Sequence, residues 1–121
     1  MIMTPNELFS LLSDETRLRC LILLQKEGEL CVCEISQLIE SIQPKISRHL
    51  ALMRKSGLVI DERRGQWVYY SLNPLLPDWA KKIIAFTLEN LQKEEPYSLD
   101  IDKISLLKKE NICNSKLKLA E

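Results

Sequence analysis

The chain has 121 residues, 45% hydrophobic and 28% charged, with 17 Lys plus Arg set against 17 Asp plus Glu and one His. That length suits one compact domain burying roughly two-thirds of its unfolded surface, and the composition excludes fibrous and disordered classes. The longest apolar runs, Cys20 to Leu24 and Ile83 to Phe86, fall far short of the roughly 20 residues of a membrane span.

The first residues show no basic start, long apolar stretch or cleavage site of a secretory signal, so a cytoplasmic location is expected. There, four Cys are expected as free thiols or ligands rather than disulfides. The neutral total hides an asymmetry. Residues 1–42 carry three basic and seven acidic side chains, residues 43–70 six and two, and residues 71–121 eight of each. A basic segment beside an acidic one is a footprint to test against phosphate binding.

Pro5 opens a first helix over residues 5–12, presenting Leu8, Leu11 and Leu12. Ser13 is the expected N-cap of a second helix, with Asp14 and Glu15 in its first turn, where the helix dipole favours acids. That helix runs to about Lys26, burying Leu18, Leu21, Ile22 and Leu24, and Gly28 stops it. A third helix begins near Val32 with Ile35, Leu38 and Ile39 at helical spacing. After a turn at Ser41 to Gln43, Pro44 suits the first position of a fourth helix, which shows Ile46, Leu50 and Met53 and ends at Ser56-Gly57. Two helices joined so tightly, the second basic outside, read as a helix-turn-helix.

The period then switches. Leu58-Val59-Ile60 and Trp67-Val68-Tyr69-Tyr70 flank Arg63-Arg64-Gly65-Gln66 as a β-hairpin, the wing of a winged helix-turn-helix. A further helix spans about Asp78 to Lys93, and Trp79, Ile83, Ile84, Phe86, Leu88 and Leu91 wrap more of it than one core covers, which implies a dimer contact. The expected fold is mainly α with a small β-hairpin (α+β), dimeric. Residues 1–94 form the DNA-binding and dimerisation domain, and 95–121 a C-terminal tail, partly helical or disordered.

Two sets of residues carry chemistry. Cys31 and Cys33, in Glu29-Leu30-Cys31-Val32-Cys33-Glu34, stand one residue apart at a helix start, where amides and dipole are expected to lower a thiol pKa. Thiolates select soft ions. In a regular helix residues i and i+2 point about 200° apart, so both sulfurs reach one ion only if the first turn unwinds. Buried Cys behaving as a small hydrophobe is the plainer alternative, and is the reading given to Cys20 among its leucines; Cys113 lies in the tail. One His and no C-x₂-C pair leave no material for an ordinary zinc site.

The second set is Gln43, Lys45, Ser47, Arg48 and His49 at the start of the basic helix, with Arg54 further along. Such amide, hydroxyl and cationic donors reach base edges and phosphates when a helix end enters the major groove. Arg63, Arg64 and Gln66 on the wing tip are expected over the DNA backbone or in the minor groove.

ELCVCE, followed by QPKISRHLALMRKSGLV and GQWVYYSL, resembles the arsenical-resistance repressors of the ArsR family over about residues 5–90. The resemblance implies a homodimeric repressor, not an enzyme, that needs no cofactor. It implies operator DNA as partner, released when As(III) or Sb(III) binds Cys31 and Cys33. Some relatives carry a third Cys where Ser36 stands here, which leaves Cys20, Cys113 or a small thiol as third ligand. Zinc-sensing relatives place His where Ala80 and Leu91 stand, so zinc sensing is not expected. The alternatives are a thiol-redox repressor, a C-x-C redox enzyme and a DNA-binding module with purely structural Cys.

Overall fold

The computed structural model describes residues 3–110. Its elements run α1 (Pro5–Leu12), α2 (Glu15–Glu27), β1 (Glu29–Cys31), α3 (Val32–Ile39), α4 (Gln43–Lys55), β2 (Val59–Arg64), β3 (Trp67–Leu72), α5 (Asp78–Leu91) and α6 (Tyr97–Glu110). This is a winged helix-turn-helix, mainly helical, with a three-stranded antiparallel sheet ordered β1-β3-β2.

α1 starts with a capping box in which the Thr4 hydroxyl accepts from Glu7 N–H at 3.1 Å and Glu7 accepts from Thr4 N–H at 3.1 Å. The cap of α2 is Asp14, not Ser13: the Asp14 carboxylate accepts from Arg17 N–H at 3.0 Å. Ser13 instead closes α1, its hydroxyl donating to Ser10 carbonyl at 2.6 Å. Both residues are competent caps; the carboxylate at the dipole's positive end wins. α2 stops at Gly28, whose φ of +94° favours glycine.

α2 is buried almost all round, with Cys20, Leu21, Ile22, Leu23 and Leu24 inside, as expected of a central helix. Leu18 is only half-buried, against expectation. The core gathers Leu8 and Leu11 from α1, Ile35 and Leu38 from α3, and Ile46, Leu50 and Met53 from α4. Glu40 leaves α3 in the left-handed region at φ +59°, and α4 begins at Gln43, so Pro44 takes its second position rather than its first. Ser36 is buried, and its hydroxyl donates to the Ser41 carbonyl, pinning the turn between the two helices.

Residues 97–110, within the expected tail, form α6 and dock on this core through Ile104 and Leu107. Arg19 of α2 meets the buried Asp100 of α6 through two hydrogen bonds, at 2.8 and 2.7 Å, and also donates to the Ile39 carbonyl at 3.3 Å. Lys103 reaches Glu40 at 2.5 Å. α6 thereby braces the end of α3, where the chain turns into α4. Residues 111–121, including Cys113, lie outside the described residues.

The sheet differs most from expectation. Cys31 is the last residue of β1, in register with Tyr69 of β3. The hairpin turn is only Gly65-Gln66, with Gly65 at φ +62°, so Arg63 and Arg64 belong to β2, paired with Val68 and Trp67. Side chains alternate along a strand and partners in register share a face. Leu30, Tyr70, Val68, Leu72, Val59, Asp61 and Arg63 therefore occupy one face. Glu29, Cys31, Trp67, Tyr69, Glu62 and Arg64 occupy the other. The first face supplies Leu30, Tyr70 and Val59 to the core.

Candidate sensor and nucleic-acid interface

Cys31 has φ −87° and ψ 164°, extended values, and serves as N-cap of α3. Its backbone N–H donates to the Glu34 carboxylate at 2.9 Å, in a capping-box arrangement with sulfur where serine or threonine is usual. Cys33 lies one residue inside the helix. Because the two straddle the strand–helix junction, their sulfurs lie 3.1 Å apart. Unwinding is not needed to bring them together, contrary to the helical geometry expected above. That separation lies within the bite of one ion whose thiolate bonds are about 2.3 Å long.

The electrostatics also differ from expectation. The Cys31 thiol is pushed up, to about 11, first by burial; the Glu34 and Cys33 backbone amides act in the lowering direction and the Glu34 carboxylate in the raising one. Desolvation outweighs the helix N-terminus, since Cys31 is 1% exposed. Cys31 and Cys33 form a small cluster of their own with Trp67 and Tyr69 from the wing. The Trp67 indole nitrogen is buried there without a hydrogen-bond partner among the described residues. Cys20 belongs to the main core instead, with its thiol pushed up to about 12 by burial. No group of three His, Cys, Asp or Glu residues suited to a metal ion occurs among the described residues.

α4 presents the second set. Gln43, Lys45 and Arg48 are exposed, and Ser47 and His49 are half-buried. No side chain caps α4 and no acid occupies its first turn, so its amides and dipole are open to an anion. His49 approaches Asp14 to 3.9 Å, and Arg54 pairs with Asp61 of β2 at 2.9 Å. Arg63 and Gln66 are exposed, and the ion pairs at the wing tip run through Arg64 rather than Arg63. Arg64 is engaged. Its guanidinium forks onto the Glu29 carboxylate, with one bond at 2.9 Å, meets Glu62 at 3.0 Å and lies 4.6 Å from the Tyr69 ring centroid. Sequence reasoning missed Glu29, Tyr69 and Trp67; only the register of β1 brings them to the thiols.

Among the described residues no helix is long and apolar enough to cross a membrane. Residues 14–61 match the family model described as bacterial regulatory protein, arsR family. The chain is 51% identical to the arsenic resistance transcriptional regulator ArsR2 of Pseudomonas putida, over 73% of this chain and 76% of that protein. It is 55% identical to the arsenical resistance operon repressor of Escherichia coli, over 66% of this chain and 68% of that one. Among solved structures, reduced HlyU from Vibrio cholerae superposes with a TM-score of 0.62 at 32% identity, covering 69% of this chain and 84% of that one. These are regulators rather than enzymes, which sets aside the C-x-C redox enzyme, and the chain belongs to the arsR family of bacterial regulatory proteins.

Proposed function

We propose that this protein is an arsenic-responsive transcriptional repressor that holds operator DNA as a cytoplasmic homodimer and leaves it when As(III) or Sb(III) binds Cys31 and Cys33. The observation that carries the reading is the pair of sulfurs 3.1 Å apart at the head of α3, the helix that leads directly into α4. Relatives named for arsenic resistance support it.

With both thiols reduced, arsenous acid exchanges two hydroxides for two sulfurs. Each thiol proton leaves on a hydroxide as water, so two waters are released and the bonds balance. The raised pKa of Cys31 suits this exchange, because a thiolate need not form there before it. Bonding at Cys31 engages the sulfur that caps α3. Cys20 lies in the other cluster, so the third bond of the trivalent centre falls to hydroxide, a small thiol or Cys113. Arsenite affinity unchanged in a Cys113→Ser variant would leave two protein bonds.

On the DNA side, Gln43, Lys45, Ser47, Arg48 and His49 of α4 enter the major groove, with Arg63 and Gln66 of the wing on the backbone. Arg54 supports the wing through Asp61. Phe86 on α5 is 66% exposed although Ile84 beside it is buried, and this outer face of α5 is where the second subunit docks. A hundredfold loss of operator affinity corresponds to a coupling of about 2.7 kcal/mol.

The test titrates a promoter fragment of its own gene with the full-length protein against arsenite, zinc, cadmium and peroxide, using the wild type and a Cys31→Ser, Cys33→Ser double variant. The wild type should release DNA with arsenite, and the double variant should bind DNA yet ignore arsenite. Release of the double variant by arsenite would place the sensor elsewhere. Release of the wild type by peroxide alone would make the pair a redox switch.

A further inference from the structure

Arg63 and Arg64 are neighbours in sequence but lie on opposite faces of the wing. Arg63 shares the face of Asp61, which is tied to α4 through Arg54. Arg64 shares the face of Cys31, Trp67 and Tyr69. Its guanidinium bridges the two outer strands, holding Glu29 of β1 through paired bonds and Glu62 of its own strand, over the Tyr69 ring. Bidentate Arg–carboxylate pairing and ring stacking fix an orientation that a lysine would not.

Glu29 is two residues from Cys31 on a three-residue strand, and Tyr69 touches both the thiol cluster and the guanidinium. We propose that Arg64 is a positioning residue that couples the thiol site to the wing, fastening β2 to the strand that ends in Cys31 in the DNA-competent shape. This rests on the functional reading above.

The sulfurs are already in contact at 3.1 Å and the cluster around them is closed. An atom bonded to both needs room, and the wing aromatics must yield it. The Trp67 indole nitrogen, without a hydrogen-bond partner among the described residues, makes that packing costly to keep. Movement of Tyr69 and β1 carries the ring and the Glu29 carboxylate away from Arg64. The wing tip is then released from β1 and changes its angle to the operator, while its other face stays tied to α4 through Arg54 and Asp61. Inducer shifts the equilibrium because it favours the unfastened shape, where operator contacts are incomplete.

The test measures operator affinity with and without saturating arsenite for wild type, Glu29→Gln, Arg64→Gln and the double variant. Arsenite binding is followed separately by the near-ultraviolet absorbance of arsenic–sulfur bonds, and folding by thermal melts. A wild-type response of a hundredfold should fall to tenfold or less in each single variant, and the double variant should be no worse than either. Arsenite affinity of the DNA-bound form should rise by the factor by which the coupling falls, as reciprocity requires. A charge-reversed pair, Glu29→Arg with Arg64→Glu, should recover part of the response.

Tighter operator binding by Glu29→Gln with an unchanged arsenite response would overturn the proposal and make Arg64 a DNA contact held back by Glu29. A wild type that ignores arsenite overturns the functional reading together with this one. A responsive wild type with equally responsive variants overturns the coupling alone.

Discussion

The two faces of the small sheet belong to different clusters of the molecule. On one, Leu30, Tyr70 and Val59 are buried in the main core, and the strands serve stability. On the other, Cys31, Tyr69 and Trp67 make a separate cluster rimmed by Glu29, Glu62 and Arg64. The same three strands thus hold the fold together on one side and carry the proposed thiol sensor on the other. Because alternation along a strand is strict, neighbouring residues such as Leu30 and Cys31, or Arg63 and Arg64, receive unrelated tasks.

The largest effect that tests this division falls on the core face. Leu30 is 3% exposed, and Leu30→Ala should lower stability by about 2–5 kcal/mol, read as a fall in the denaturant midpoint. At temperatures where the variant is folded, its arsenite response should persist. A midpoint equal to wild type would remove Leu30 from the core, and an absent response in the folded variant would mean that the two faces are not separate devices.

A smaller effect separates the two arginines. Arg63→Ala should weaken operator binding and reduce the slope of log affinity against log salt by about 0.9 for each phosphate that Arg63 neutralises. Arg64→Gln should leave that slope near wild type, since its charge is already held by Glu29 and Glu62. Equal slope changes in both variants would erase the distinction between the faces at the wing tip.

The helices were legible in the sequence because their signals are local. Pro5, Ser13 with Asp14-Glu15, Gly28 and Ser56-Gly57 bound segments with helical apolar spacing, and the structure keeps those bounds within a residue or two. β1 was not legible. Three residues are too few for alternation to show, and Glu29–Cys31 is a strand only because β3 pairs with it. Without β1, Cys31 is read as part of the helix start, so helical geometry makes the sulfurs diverge and sets the thiol under the helix dipole. With it, the sulfurs converge and burial dominates. The Arg19–Asp100 pair was equally hidden, joining α2 to a helix 81 residues later, in a region whose apolar spacing alone left order undecided.

The smallest expected effect concerns His49, which compares α4 with the wing as a DNA contact. Burial holds His49 below its ordinary value of 6.5; Asp14 of α2 acts in the raising direction, while Arg17 of α2 and Lys45 and Arg48 of α4 add to the lowering. The free protein therefore carries a neutral His49 at pH 7. A DNA phosphate beside the ring would raise its pKa, so binding would take up a proton and operator affinity should increase as pH falls from 7.5 towards 6. Two such sites in a dimer bound the gain below a hundredfold per pH unit. His49→Gln should flatten that slope while Arg63→Ala keeps it. A wild-type affinity that is flat or falling over the same interval would assign His49 to its contact with Asp14 and leave phosphate binding to the arginines and lysines of α4 and the wing.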